Sequence, residues 1–461
     1  MTEKLENGLF IFRRDLRIVD NNGLNFLSTL CKNIYTIFIF TPEQVGSGNK
    51  YKSDNAVQFM VESLEDLASE ISKKGGHLYT FYGENEKVVA DCIKAWDINV
   101  VAFNLDITPY ARIRDDKIVK LCQKMEVFVT YDTDYYLCNP GEVLNGSGQS
   151  YVKFTPYYET ARKLRVEKPV TKKIHFKSSD AHIANKITFD LAMKKFVGKE
   201  NPDILVHGGR TEALKVLRTA IKTQSHYANT HNNLDKPTSH LSSYINFGNI
   251  SIREVYYAFK SNTAFIRQLY WGSFYANVLY NYPQIIHQSL KPKYDNIKWN
   301  HNETWFRKWC EAKTNFPIID ACMTELNITG YLHGRGRLIV SSFLVKTMLI
   351  NYKKGEKYFA NNLTDYSITN NLNNWCWITG NTPTSQEYYK IFNPWSQGLE
   401  HDKDAVYIKK WLPQLKDVPA KAIHNWFKEW ENYKETGYGK PILDYEEQRE
   451  KVLSAYKNAL K

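Results

Sequence analysis

The chain has 461 residues, of which 43% are hydrophobic and 24% charged, enough for two or three soluble domains and too much for one small module. Its formal net charge of +12 favours a polyanionic partner, because lysines and arginines that neutralise phosphates gain by releasing counterions; solvated lysine faces give the same excess. No apolar run approaches the roughly 18 residues of a membrane span. The start, MTEKLENGLFIFRRD, lacks the basic-then-apolar order of a secretory leader, so an intracellular soluble protein without membrane partners is expected, its compartment open.

The five β-rich runs LFIF (9–12), IYTIFIF (34–40), HLYTFY (77–82), NVVAFN (99–104) and VFVTYD (127–132) alternate with helical patterns. The strongest helix spans Ser53 to Lys73, with Val57, Met60, Leu64, Leu67 and Ile71 on one face, a Ser/Asp start and a Gly75-Gly76 stop. This alternation predicts a doubly wound parallel α/β domain over residues 1–132. The first strand runs into RRDLRIVDN, with neither a G-x-G-x-x-G turn nor a phosphate-binding G-x-x-x-x-G-K-[ST] loop. Residues 133–205, irregular and lysine-rich, are expected to form a linker. From 206 to 461 the pattern is helical, as in TEALKVLRTAIKT and GRLIVSSFLVKTMLINY, so the fold class is α/β plus all-α. Seven cysteines form no CxxC pair and no cluster with histidines, which points to reduced core thiols and no metal site.

Ten of the eleven tryptophans lie beyond residue 270, more indole than a helical core requires. Among them, Trp271 in QLYWGSFY lies on a helix where an aromatic stripe is ordinarily core. PTSHLSSYINFG (237–248) places Thr238, Ser239 and Ser242 around a helix start, suited either to an ordinary hydroxyl cap or to a phosphate. The stretch from Ile318 to Trp377 joins a basic turn, HGRGR (333–337), a long apolar helix and DYSITNNLNNWCW (365–377). By itself it reads as a helical hairpin with capping Asp and Asn residues.

Taken in order, FIFRRDLRIVDN, FNLDITPYARIRD, PTSHLS, QLYW, KTNFPIIDACM, TGYLHGRGR, SSFLVK, GEKYF, NNWCW and YYKIFNP give the chain a sequence that resembles the photolyase/cryptochrome family over almost its whole length. The resemblance implies FAD in the helical domain, reduced and anionic when active, with an optional antenna pigment of unknown identity on the α/β domain. It places Tyr227, Thr238, Ser239, His240, Leu241 and Ser242 at the flavin pyrophosphate and ribityl chain. Arg337 and Asp365 become a salt bridge against the isoalloxazine, where a fixed guanidinium stabilises the anionic ring. Asn371 faces flavin N5, Ser367 stands where relatives carry a flavin-side aspartate, and Gln268 touches flavin and substrate. Trp271, Tyr275 and Trp377 line the cavity for a flipped-out lesion, while Arg335, Lys390 and Gln397 meet the DNA backbone. Trp375, Tyr352 and Trp299 occupy the three positions of a photoreduction relay, with tyrosine in the middle place where tryptophan is usual.

The implied activity is light-driven splitting of cyclobutane pyrimidine dimers in ultraviolet-damaged DNA by a monomer: excited reduced flavin lends an electron and receives it back. Gln268, Gly272, Gly334, Leu338, Ser367 and His231 depart from the usual pattern of such photolyases. Repair of (6-4) photoproducts needs histidines that fall here at Gly334 and Leu338, and His333 beside them points about 100° away on a helix. Asn371 favours repair over signalling, and the chain ends soon after its last helical pattern, so a non-repairing cryptochrome photosensor is the alternative. Thr108 replaces a glutamate that contacts folate in some relatives.

Overall fold

The computed structural model describes residues 3–383 and 385–461. The chain separates into two compact units, the first containing Met1–Asn201, Val206–Lys222 and Ser239–Pro283, the second Pro202–Leu205, Thr223–Thr238 and Gln284–Lys461.

In the first unit all five β-rich runs become strands: β1 (Leu5–Phe12), β2 (Cys31–Phe40), β3 (Leu78–Tyr82), β4 (Val100–Asn104) and β5 (Phe128–Asp132). They form one parallel sheet in the order β3-β2-β1-β4-β5, with Phe10 opposite both Thr36 and Ala102. Successive side chains leave opposite faces of a strand. Phe10, Phe12, Phe38 and Phe40 therefore enter one core cluster, and Leu9, Ile11, Ile37 and Ile39 the other. Both faces must be covered, which explains why these strands read as unbroken apolar runs. The helices Asn22–Leu30 and Asp54–Ser72 cover the first face, and Asn85–Ala95 and Pro109–Lys124 the second.

The helix expected at Ser53–Lys73 is Asp54–Ser72, with the Ser53 hydroxyl accepting the Ala56 N–H at 3.2 Å. Past its end, a Cβ on Gly76 would lie 2.3 Å from the Cβ of Phe176, so only glycine fits there. The segment expected to be irregular is partly ordered: it contains the helices Phe154–Ala161 and Phe189–Phe196, and Phe176 bridges to Ile34. Its buried Phe154, Tyr157, Phe176 and Phe196 supply the apolar contacts that fix it.

A buried ionic network crosses this unit. Asp134 accepts from Arg17 and, at 2.7 Å, from Arg253, whose Nε donates to Asp20 at 2.9 Å. Burial alone would raise the Asp134 carboxyl, but the two guanidiniums outweigh it and hold it below its ordinary value.

The second unit is helical. Glu303–Cys310, Pro317–Thr329, Gly334–Lys346, Tyr352–Asn362, Ile368–Thr379 and Tyr445–Leu460 are its main elements. Pro317 opens one helix, and Gly330, at φ +68°, closes it in the left-handed region. The basic turn and apolar run become Gly334–Lys346, and the polar run becomes Ile368–Thr379. Lys346 is buried at a helix end, where its ammonium donates to the carbonyls of Lys390 at 3.1 Å and Glu387 at 3.4 Å. Burial lowers its pKa to about 8.

Candidate functional site

Within the second unit the strongest polar constellation joins the two segments that stood out in the sequence. Arg337, in the first turns of Gly334–Lys346, donates from Nε to the Leu332 carbonyl at 2.8 Å and from Nη2 to both carboxylate oxygens of Asp365, at 2.9 and 3.1 Å. Burial opposes the arginine's charge, yet Asp365 outweighs it and holds the guanidinium above its ordinary value. Among the described residues Nη1 has no protein acceptor, so a fixed cation with an unspent donor remains. Tyr331 lies beneath it, its ring 5.8 Å from the guanidinium carbon and its hydroxyl 2.7 Å from Thr238 Oγ1. The Thr238 hydroxyl, expected at a pyrophosphate, is thus shared with Tyr331. The sequence pointed to Arg337 and Asp365 but not to Tyr331, although it lies in the quoted TGYLHGRGR run.

Asn371, buried on Ile368–Thr379, spends both amide hydrogens on one residue: Nδ2 donates to the Glu356 carbonyl at 3.0 Å and to Glu356 Oε1 at 2.9 Å. Its Oδ1 is then the end left to meet a ligand, and only as an acceptor. Glu356, 4% exposed, thereby fixes the orientation of that amide; it lies in the GEKYF run, to which sequence reasoning assigned no role. Ser367, N-cap of the same helix, bonds Thr369 Oγ1 at 2.6 Å instead of capping a backbone N–H.

Tyr227 stacks on His231 at 5.0 Å, and burial pushes its phenol up to about 12. Arg335 donates to Asn232 Oδ1 at 2.7 and 3.2 Å, so this expected DNA contact is partly engaged inside the protein. Gln397 faces Glu400 at 3.4 Å, while Lys390 is exposed and Trp377 half-buried. Of the relay positions, Tyr352 touches Trp299, ring centroids 6.4 Å apart. Among the described residues the rings in contact with Trp375 are those of Trp309 and Phe359.

The remaining expected residues belong to the first unit. Ser239, His240 and Leu241 precede the five-residue helix Ser242–Asn246. His240 has φ +52°, and the N-cap Leu241 makes no side-chain cap, so this is no ordinary hydroxyl cap. On the helix Thr263–Asn281, Gln268 is exposed, Tyr275 buried and Trp271 half-buried, one face of its indole stacked on Phe154 at 3.6 Å. Gly272 and Gly334 both have open space where a Cβ would stand.

The sheet order of the first unit reverses between β1 and β4, the place where open parallel sheets bind ligands beyond their strand ends. The loop after β1 brings Arg13, Arg14 and Asp15 there. Arg13 pairs with Asp115, Arg114 with the same carboxylate at 2.9 Å, and Arg14 reaches Asp106 at 3.6 Å. Among the described residues Arg13 Nη2, Arg14 Nε, Arg114 Nη2 and Asp115 Oδ2 are buried without a hydrogen-bond partner. The sequence showed RRD as a departure from dinucleotide loops but gave these arginines no role. Thr108 is the N-cap of Pro109–Lys124, its hydroxyl accepting the Ala111 N–H at 3.2 Å.

Among the described residues no His/Cys/Asp/Glu cluster could hold a metal and no helix is long and apolar enough to cross a membrane.

Two family models match the chain: one described as DNA photolyase over residues 9–173 and one described as the FAD binding domain of DNA photolyase over residues 265–458. A deoxyribodipyrimidine photo-lyase of Buchnera aphidicola is 31% identical, covering 98% of each chain. Among solved structures, an archaeal photolyase from Sulfolobus tokodaii with two FAD molecules superimposes with a TM-score of 0.88 at 36% identity, over 98% of this chain and 100% of its own. A class III photolyase from Agrobacterium tumefaciens gives a TM-score of 0.92 at 25% identity, over 100% of this chain and 98% of its own. The chain belongs to the DNA photolyase/cryptochrome family.

Proposed function

We propose that the protein is a photolyase that binds FAD and uses blue light to split cyclobutane pyrimidine dimers in DNA. The observation that carries the reading is the fixed Asn371 amide: with both hydrogens spent on Glu356, it offers flavin N5 an acceptor alone. Bound FAD supplies the light-excited one-electron donor. Arg337 offers a cation whose orientation Asp365 and Leu332 fix, and Tyr331 and Thr238 close the space beside it. These side chains suit an anionic ring with a protonated N5, the reduced form that repair requires. Tyr227, Ser239, His240, Leu241, Ser242, Gln268 and Ser367 are proposed as further flavin contacts.

Trp271, Tyr275 and Trp377 are proposed to receive the lesion once it leaves the base stack, a step a dimer makes at less than the usual cost of about a few kcal/mol. Arg335, Lys390 and Gln397 are proposed to hold phosphates around it without reading sequence. A second chromophore is proposed at the β1–β4 crevice, where the unpartnered guanidinium nitrogens of Arg13, Arg14 and Arg114 suit an anionic group. The protein is proposed to act as a monomer.

The test is blue-light repair by fully reduced protein of two oligonucleotides, one with a cyclobutane thymine dimer and one with a (6-4) photoproduct, restored thymines being counted by chromatography. Light-dependent restoration of the first alone is the expected result. Restoration of neither by protein carrying reduced FAD would sink repair in favour of a cryptochrome-like photosensor, and restoration of only the second would reverse the lesion assignment.

A further inference from the structure

A hole placed on Trp375 moves most readily to an oxidisable ring packed directly against it. Of the two rings touching that indole, Phe359 is an unsubstituted benzene ring and far too hard to oxidise, which leaves Trp309, with centroids 6.4 Å apart and planes crossed at 72°. Trp309 is fully buried, and its indole N–H donates to the Val340 carbonyl at 3.1 Å. An indole radical cation there has no water to take its proton, so it stays strongly oxidising and passes the hole on. Its oxidisable neighbour on the far side is Tyr358, at 5.5 Å.

Tyr358 has what Trp309 lacks. It is half-buried, its hydroxyl lies 2.8 Å from both the Cys310 carbonyl and Asn327 Oδ1, and it lines an open groove of about 620 Å³ with Arg307 and Glu311. Water in that groove can accept the phenolic proton, and the neutral tyrosyl radical left behind is a weaker oxidant than an indole radical cation, so the hole comes to rest there. Tyr352, at the position where the family relay would continue, is 4% exposed, so its phenolic proton is farther from water than that of Tyr358.

We propose that Trp309 and Tyr358 form an exit branch of the photoreduction relay. Resting on the flavin reading above, the hole on Trp375 arises when light-excited oxidised flavin takes one electron from it. Trp309 then gives an electron to Trp375, and Tyr358 gives an electron to Trp309 while its proton passes to groove water. A soluble thiol reduces the tyrosyl radical by delivering one hydrogen atom, which restores the phenol and leaves a thiyl radical. The net result is one electron moved from thiol to flavin.

The test is electron paramagnetic resonance of the FAD-loaded full chain after a blue flash. The expected signal is a tyrosyl radical that narrows with ring-deuterated tyrosine, disappears in Tyr358→Phe and Trp309→Phe, and survives in Tyr352→Phe. Tyr358→Phe keeps the packed ring and removes only the hydroxyl, and ring deuteration needs no substitution at all. A tyrosyl signal that survives in Tyr358→Phe, or a parent whose radical resides only on tryptophan, overturns the branch while leaving the flavin reading intact. A parent that binds no flavin overturns the flavin reading and the branch with it, whereas a Trp375→Phe variant whose flavin is photoreduced as in the parent overturns the branch alone.

Discussion

Gly355 sits inside the helix Tyr352–Asn362, where alanine would normally be preferred by about 1 kcal/mol. Here the helix meets Trp375 and Leu344: a Cβ on Gly355 would lie 2.2 and 2.6 Å from two indole carbons and 2.5 Å from Leu344 Cδ2. Carbon atoms in contact keep about 3.5–4.0 Å, so the indole would have to move by more than an ångström. Trp375 is 2% exposed and boxed in by Phe359 and Trp309, so it has nowhere to go without shifting its neighbours. Overpacking of this kind costs about 1–3 kcal/mol and more when large rings are displaced. Gly355→Ala is therefore expected to lose about 1–2 kcal/mol net of its helix gain. Gly272 supplies the internal contrast, being also mid-helix but with nothing within 4 Å of its Cβ position. Gly272→Ala is expected to gain about 0.5–1 kcal/mol. Urea denaturation followed by tryptophan fluorescence measures both, and photoreduction of the FAD-loaded Gly355→Ala protein reports whether Trp375 has moved. A Gly355→Ala protein as stable as Gly272→Ala would refute the packing reasoning.

Asp134→Ala leaves Arg17 and Arg253 buried without their shared carboxylate and is expected to cost about 3–5 kcal/mol in urea denaturation. Because the Asp134 carboxyl is held below its ordinary value in the fold, its contribution is present above the unfolded carboxylate range and lost as pH falls through the folded value; the parent should weaken more steeply in acid than the variant. Lys346 has the opposite sense. Its folded pKa of about 8 lies below the ordinary 10.5, so the unfolded chain holds the extra proton between the two and stability rises with pH across that window, by roughly 3 kcal/mol at about 1.36 kcal/mol per pH unit. Lys346→Met should remove that rise, as denaturation midpoints measured from pH 7 to 10.5 will show. Glu356→Leu frees one amide hydrogen of Asn371 and should shift the redox titration of bound flavin in the same direction as Asn371→Ala. The double variant should shift it no further, and additive shifts would mean that Glu356 does not act through Asn371.

The strand runs were legible because a parallel sheet covered on both faces requires unbroken apolar segments, and the Asp54–Ser72 helix because Ser53 and Gly75 mark its ends. Arg337 and Asp365 stood out in the sequence because two short polar motifs framed an apolar helix. Their pairing depended on the folding of Gly334–Lys346 against Ile368–Thr379, which brings residues 28 apart to within 2.9 Å. Other features had no local signature. Glu356 orders Asn371 from 15 residues away in the chain, and Trp309 meets Trp375 from 66 residues away, contacts that no periodicity encodes. The arginines after β1 looked like a failed dinucleotide loop until the sheet order set them beside β4. The sequence by itself determined the element types, the family resemblance and the residues able to carry charge or electrons, because propensity and residue chemistry are local. Which amide faces a ligand, which ring touches which, and which guanidinium nitrogens are left without partners were decided only by the tertiary structure, because each depends on distances between segments far apart in the chain.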